Sequence, residues 1–189
     1  MPAPLYPYAA PTPVAPARQL SQINPISVLP DVQLKAPVKS LQLLHRYSEQ
    51  QRMYLYSMLL LTSETATSRA ALYWVDMHPQ PNIPRGPYTR PGVCIVRRHM
   101  DPYLLAERLI HKRTEWPAVK GKTITVGDFV DLLVRHKMNE FVFDAGVDEV
   151  ALALSWYKKV IGLFKREGLV EVKDEDLDEW NPCPTRRWW

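Results

Sequence analysis

Residues 40–61, SLQLLHRYSEQQRMYLYSMLLL, decide the predicted fold class of this chain. Their bulky side chains recur at spacings of three to four, at Leu44, Tyr47, Gln51, Tyr54, Leu55, Met58 and Leu61. This spacing places side chains along one face of an α-helix. The Ser40 hydroxyl can accept a hydrogen bond from a free backbone N–H in the first turn. The stretch therefore predicts a helix from about 41 to 61.

Further helices and a few short extended pieces are predicted along the rest of the chain. The helices span about 64–77, 101–113, 126–137 and 147–167, and the extended pieces span 93–98, 141–143 and 169–172. Thr125 and Asp128 resemble a capping box, and Gly168 suits the left-handed position after a helix. We therefore expect a mainly α fold: a helical domain with a few short strands and a long extended proline-rich N-terminal arm.

The first 38 residues are predicted to form that arm. Nine of the first 37 residues are proline, which excludes a helix or a central strand there. The arm nevertheless carries large apolar side chains, which disordered linkers usually lack. We expect it to clasp the surface of neighbouring proteins. The large apolar area of Trp180, Trp188 and Trp189 near the C-terminus is expected either to dock on a partner or to fold back on its own domain. The predicted protein-interface residues are Leu5, Tyr6, Tyr8, Ile23, Ile26, Val28, Leu29, Trp188 and Trp189.

Composition divides the chain into four regions. Residues 1–38 form the arm, 39–120 a helical basic region with a proline-rich loop at 78–92, 121–180 a helical subdomain ending in a short strand, and 181–189 an aromatic and basic tail. Residues 1–120 contain 14 Lys and Arg against 7 Asp and Glu, whereas residues 121–189 contain 10 against 13. We therefore expect any polyanion to contact the first two thirds of the chain.

Arginine is the commonest basic residue in the segment from 85 to 122. The planar guanidinium group can donate two hydrogen bonds to one phosphate, so such a surface can follow a nucleic-acid backbone without reading its sequence. The predicted nucleic-acid-binding residues are Arg85, Arg90, Arg97, Arg98, Arg108, Lys112 and Arg113.

Motifs for enzymatic chemistry are not found in the sequence. Lys120-Gly-Lys-Thr123 resembles the end of a phosphate-binding loop, but Trp116 stands where that motif needs its first glycine. The five histidines and the cysteines Cys94 and Cys183 lack the spacing of a metal site. We expect no catalytic residues, no metal and no cofactor, and the apolar runs are too short to predict a membrane span.

The segment Trp156–Val172, WYKKVIGLFKREGLVEV, resembles part of a winged-helix domain. In that family a basic recognition helix is followed by a wing strand. The resemblance implies that Lys158, Lys159, Lys165 and Arg166 would face duplex DNA. A winged-helix transcriptional regulator is therefore the alternative function.

The function that we expect first is a non-enzymatic structural subunit of a multi-chain assembly. The arm would clasp neighbouring subunits, as in a homo-oligomer or a larger particle, and the arginines would contact nucleic acid. A viral coat, a nucleocapsid-like particle or a ribonucleoprotein fits this description, so we expect the protein in a virion or an intracellular particle and not among secreted proteins. An adaptor that binds proteins but no nucleic acid is a further alternative.

Overall fold

A single antiparallel sheet is the centre of the fold. The computed structural model describes residues 29–48, 53–63, 70–79, 89–98, 107–144 and 146–180. The strands are β1 (Val38–Ser48), β2 (Met53–Thr62), β3 (Leu72–Pro79), β4 (Thr89–Arg98), β5 (Ile110–Pro117) and β6 (Val142–Asp144). They lie in the order β5-β1-β2-β3-β4-β6, so β1 to β4 follow one another as a meander and β5 returns to pair with β1.

Within the described ranges, four α-helices accompany the sheet: α1 (Asp31–Leu34), α2 (Val126–Arg135), α3 (Glu149–Arg166) and α4 (Asp174–Asp178), with a 3₁₀ turn at Glu107–Leu109. Helix α2 begins with a capping box, in which Thr125 and Asp128 satisfy each other's backbone N–H groups. Helix α3 begins where Asp148 Oδ1 accepts hydrogen bonds from the N–H groups of Val150 and Ala151. Local capping therefore fixes where the two long helices begin.

The main hydrophobic core lies between one face of the sheet, here called the first face, and helices α2 and α3. Side chains alternate between the two faces of a strand, so Leu41 and Leu43 of β1 share the first face with their partners Leu60 and Met58 of β2. These residues belong to one buried cluster with Phe129 of α2 and with several side chains of α3. The cluster draws residues from both the 39–120 and the 121–180 regions.

The expected mainly α fold is wrong. Of the described residues, 43% lie in strands and 32% in helices. The predicted helix at 41–61 forms the hairpin strands β1 and β2, the end of the predicted helix at 64–77 belongs to β3, and the end of the predicted helix at 101–113 is the 3₁₀ turn and β5. Strands β1 and β2 are buried on both faces over most of their length, so apolar residues occur on both faces and a strict strand alternation is absent.

Several local predictions are confirmed. The extended piece at 93–98 lies within β4, and the helices at 126–137 and 147–167 correspond to α2 and α3. Gly168 follows α3 with a φ of 69°, the left-handed geometry expected of it. The predicted strand at 169–172 is instead a single bridge between Val170 and Ala118. Strands β3 and β4 also include both ends of the predicted loop at 78–92.

The predictions for the arm and the tail fall largely on residues outside the described ranges. Within the predicted arm, Asp31–Leu34 forms helix α1, so the expected exclusion of a helix from residues 1–38 is wrong there. Leu5, Tyr6, Tyr8, Ile23, Ile26 and Val28 of the arm, and Trp188 and Trp189 of the tail, lie there. Leu29 is the one predicted interface residue within those ranges, and it packs against the main core. Among the described helices, none is both long and apolar enough to cross a membrane.

Candidate functional site

The opposite side of the sheet, here called the second face, carries polar and basic side chains around an apolar floor. Leu44 of β1 lies opposite Arg113 of β5, and Trp74 of β3 lies opposite Arg97 of β4. Because paired residues project from the same side, the sheet register assembles this face from five strands. Its residues include Gln42, Leu44, Arg46, Ser57, Leu59, Trp74, Asp76, Arg97, Arg113 and Glu115.

The floor of the second face is a small apolar cluster of Leu44, Leu59 and Trp74, whose exposed fractions are 0%, 0% and 2%. The guanidinium carbon of Arg46 lies 4.9 Å from the centre of the Trp74 ring, a cation–π contact. Arg46 Nε also donates a 3.2 Å hydrogen bond to Ser57 Oγ. Burial lowers the pKa of Arg46, and the charge of Arg97 lowers it further while Asp76 raises it.

Arg97 and Arg113 are exposed on the second face, one on each side of Arg46 in the strand order. Within the described ranges, neither forms an ion pair with an acidic side chain. Arg46, Arg97 and Arg113 therefore bring three guanidinium groups from β1, β4 and β5 to one side of the sheet. Such a set of fixed positive charges is suited to an anionic ligand with repeated charges.

The acidic residues of the second face are held by hydrogen-bond donors of the protein itself. Glu115 accepts hydrogen bonds from Ser40 Oγ at 2.6 Å and from Gln42 Nε2 at 3.1 Å. Asp76 accepts one from Tyr157 Oη at 2.8 Å and lies 3.6 Å from Nε2 of His78. Hydrogen bonds within the protein therefore hold both carboxylates. Among the described residues, no acidic side chain forms an ion pair with Arg97 or Arg113.

Tyr157 reaches Asp76 from the helix side of the sheet. Strands β2 and β3 pair only between Met58–Leu61 and Leu72–Val75. Beyond this paired stretch, the Tyr157 hydroxyl also lies 3.4 Å from the backbone oxygen of Tyr56. Burial, followed by the charge of Asp76, raises the pKa of Tyr157 well above its ordinary value, so the hydroxyl keeps its proton and donates to the carboxylate.

The other predicted nucleic-acid-binding residues do not join the second face. Arg90 forms an ion pair with Glu149, and the Lys112 ammonium group lies 3.3 Å from Glu179 and over the Trp180 ring. Arg98 lies opposite Tyr73 and therefore on the first face, and Arg108 lies in the exposed 3₁₀ turn. Arg85 is outside the described residues. Of the predicted residues that the structure describes, Arg97 and Arg113 are the two that lie on the second face.

Sequence reasoning missed the floor and the central arginine of this site. Both residues lie in segments that the sequence predicts as helices, Arg46 in 41–61 and Trp74 in 64–77. The signal that could have found them is the every-second-residue pattern of Gln42, Leu44 and Arg46, which indicates one face of a strand. The pattern is difficult to recognise in the sequence, because apolar residues occur on both faces of β1.

A second polar cluster surrounds His45 on the first face. Its ring stacks on Tyr56 with a centroid separation of 4.8 Å and meets His111 edge-on at 5.3 Å. His45 is 5% exposed, and its Nε2 forms no hydrogen bond with any described residue. Over the described part of the chain, no three potential ligands converge on a metal position. The cluster has the character of a buried aromatic contact between β1, β2 and β5.

The segment that resembles a winged-helix recognition element has a different structure. Lys158, Lys159, Lys165 and Arg166 all lie on α3, which is one uninterrupted helix of 18 residues. The segment after it makes a single bridge to Ala118 instead of a wing strand. Lys165 also forms a 2.5 Å contact with Asp174, so its charge is already paired.

Comparison with known proteins assigns this chain to no family. No protein-family model matches the sequence, no curated protein is similar to it, and no solved structure matches the fold. The second face, with Arg46, Arg97 and Arg113 around a buried apolar floor, is therefore the candidate site on its own chemistry.

Proposed function

We propose that this chain is a non-enzymatic structural subunit of a nucleoprotein assembly, and that the second face of its sheet contacts the nucleic-acid backbone. A viral coat or nucleocapsid-like particle and a ribonucleoprotein are the assemblies that this role fits. The observation that supports the proposal is the placement of Arg46, Arg97 and Arg113 on one side of the sheet, while the acids beside them accept hydrogen bonds from the protein.

The floor of the face favours phosphate contacts over base stacking. Proteins that stack nucleic-acid bases present exposed aromatic rings. Trp74 is only 2% exposed and has Arg46 over its ring, so it is not available to a base. The exposed residues of this face include Arg97, Arg113 and Glu115, and the carboxylate of Glu115 already accepts hydrogen bonds from Ser40 and Gln42. Phosphate contacts fix a protein on the backbone and carry little sequence information.

The test is retention of single-stranded and duplex nucleic acid by the full chain at low salt. Arg97→Glu and Arg113→Glu should each weaken binding by about tenfold or more, since each replaces an attractive charge with a repulsive one. Lys159→Glu is the matched control, because Lys159 is exposed on α3, on the opposite side of the sheet. It changes the net charge equally and should leave most of the binding intact.

The same set of variants separates the proposal from its alternatives. A winged-helix regulator would lose duplex binding in Lys158→Glu and Lys159→Glu and would keep it in Arg97→Glu. An adaptor that binds only proteins would retain neither nucleic acid at any salt concentration. Either outcome would contradict the role proposed for the second face.

A further inference from the structure

Strand β5 forms one edge of the sheet, and part of its outer side is unpaired by any described residue. Its inner side pairs with β1 from Ser40↔Pro117 to Arg46↔Ile110. On its outer side, Glu171 N–H donates to Pro117 O and Val119 N–H donates to Leu169 O. These two bonds cover only the C-terminal end of the edge. An unpaired strand edge is a template for another strand.

The hydrogen bonds at this end show which backbone groups of β5 point outward. Ala118 N–H donates to Lys39 O of the neighbouring β1, so the backbone groups of residue 118 point inward. Inward and outward groups alternate along a strand at an antiparallel edge. The groups of Pro117, Arg113 and Glu115 therefore point outward. Pro117 has no N–H and its oxygen is already bonded, so Arg113 and Glu115 supply the outward donors and acceptors of this stretch.

The outer side of β5 is also accessible at this point. A cleft of about 540 Å³ lies along it, and its lining includes Glu115, Pro117, Val172 and Lys173. The chain from 170 to 173 leaves the edge beside Pro117, and residues 176–180 then contact side chains of β5 on the first face, where Trp180 Nε1 donates to Thr114 Oγ1. No described residue forms a backbone hydrogen bond with the outward groups of Arg113 and Glu115. An extended strand of another chain can therefore approach the two residues from the side.

The charges of this short edge are complementary to those of the same edge in a second copy of the chain. Arg113 and Glu115 lie on the same face, two residues apart. A second β5 that runs antiparallel about a two-fold axis at Thr114 would place each Arg113 opposite the Glu115 of the other copy. This register also uses all four outward backbone groups of each strand, in two hydrogen-bonded pairs. An axis at Arg113 would place arginine opposite arginine, and an axis at Glu115 would place carboxylate opposite carboxylate.

We propose that two copies of this chain associate through their β5 edges, antiparallel about Thr114, so that the two sheets become continuous. The inference rests on the proposed function in that both treat the chain as a subunit of an assembly, and both use Arg113, whose five N–H donors can serve a carboxylate and a phosphate together. The contact comprises four backbone hydrogen bonds and two Arg113–Glu115 ion pairs, which is small beside a stable dimer interface. Weak contacts of this kind suit an assembly in which many copies act together.

The first test exchanges the charges and measures self-association of the full chain by sedimentation, after nuclease treatment. Arg113→Glu places two glutamates opposite each other, so self-association should weaken by about tenfold. Glu115→Arg should weaken it similarly. The double variant R113E/E115R restores opposite charges in the same register and should recover association. If the single variants associate as the wild type does, or the double variant recovers nothing, the register is wrong.

The second test locates the axis directly. Residues opposite each other in a pair without hydrogen bonds have Cα atoms about 4.5 Å apart, within reach of a disulfide. Thr114→Cys in a Cys183→Ser background should therefore form a covalent dimer on mild oxidation. Asp131→Cys, at an exposed position on α2, is the control and should remain monomeric. A Thr114→Cys variant that cross-links no faster than Asp131→Cys would overturn the proposal.

Arg97→Glu separates this inference from the proposed function. Arg97 lies on β4, and three strands separate it from β5. The variant should lose nucleic-acid binding and keep wild-type self-association. Loss of both would show that the chain associates through bound nucleic acid, and the β5 contact would then be rejected. Retention of nucleic acid by this variant, with self-association intact, would reject the proposed function alone.

Discussion

Tyr157 of α3 donates a 2.8 Å hydrogen bond to the Asp76 carboxylate of β3, and both side chains are almost fully buried. The bond joins the longest helix to the sheet at the place where β2 and β3 no longer pair. It also brings a carboxylate to the second face without exposing it, because the hydroxyl replaces water as its donor. The helix layer and the candidate site are therefore physically connected.

Tyr157→Phe tests this connection. The substitution removes the hydroxyl and leaves a buried carboxylate with one donor fewer, so the free energy of unfolding should fall by about 1–3 kcal/mol. Urea denaturation measures it as a lower midpoint with an unchanged slope. Tyr54→Phe is the control, since Tyr54 is 43% exposed and its change should stay within about 0.5 kcal/mol. Equal midpoints for wild type and Tyr157→Phe would show that the bond contributes nothing.

His45 makes the stability of the chain sensitive to acid. Burial lowers the pKa of His45, and the charges of His111 and Lys112 lower it further. The unfolded chain therefore binds a proton at higher pH than the folded one, so stability falls as pH drops below about 6.5 towards the folded pKa. The groups that contact the His45 ring are Tyr54, Tyr56 and His111.

The measurement compares urea midpoints at about pH 7.5 and about pH 5. The wild type should lose stability over this interval, and His45→Phe should lose less, since phenylalanine keeps a ring on Tyr56 but does not titrate. His136→Gln removes an exposed histidine and is the control. A pH dependence that is identical in the wild type and in His45→Phe would assign the acid sensitivity to other groups.

Cys94 should not react with thiol reagents in the folded protein. Burial, with a smaller contribution from Asp76, raises its pKa to about 12, and the thiolate is the reactive form. Alkylation by iodoacetamide at neutral pH, read by peptide mass spectrometry, should modify Cys94 in urea and leave it unmodified in buffer. Rapid labelling of Cys94 in buffer would contradict its position in the core.

Two glycine substitutions test the packing on either side of the core. A Cβ at Gly92 of β4 would lie 2.6 Å from Met77 Sδ and 3.0 Å from Phe141 O, so Gly92→Ala should destabilise the fold by about 1–3 kcal/mol.

A Cβ at Gly162 of α3 meets nothing within 4 Å, so Gly162→Ala should stabilise the helix by about 0.5–1 kcal/mol. Thermal unfolding distinguishes the signs. A stable Gly92→Ala variant would contradict the close approach of β4 to Met77.

The two helices that the sequence predicted correctly carry local signals, and the strands that it mistook for helices do not. Helix α2 has a capping box and α3 ends at a left-handed glycine, and both signals are local. Strands β1 and β2 are buried on both faces over most of their length, and Glu49–Arg52 between them contains no Gly, Pro or Asn to indicate a turn. Apolar residues on both faces of two such strands can recur by coincidence at the three-to-four spacing of a helix.

The candidate site was predictable only in part, because it depends on sheet register. Arg97 and Arg113 were predicted from the local density of arginine. Arg46 and Trp74 join them through pairings that extend across β1, β2, β3 and β4, and no local pattern gives those pairings. Arg90 and Lys112, which the sequence also predicts as nucleic-acid contacts, form ion pairs with residues far along the chain and lie apart from this face.

The salt dependence of nucleic-acid binding tests the central claim most directly. We expect the affinity of the full chain for a single-stranded homopolymer to fall steeply with salt, since each neutralised phosphate releases counterions. Arg97→Ala and Arg113→Ala should each reduce the slope of log affinity against log salt by about 0.7, and Lys159→Ala should leave it unchanged. A wild type without salt-dependent binding, or slopes equal in Arg97→Ala and wild type, would contradict the role of the second face.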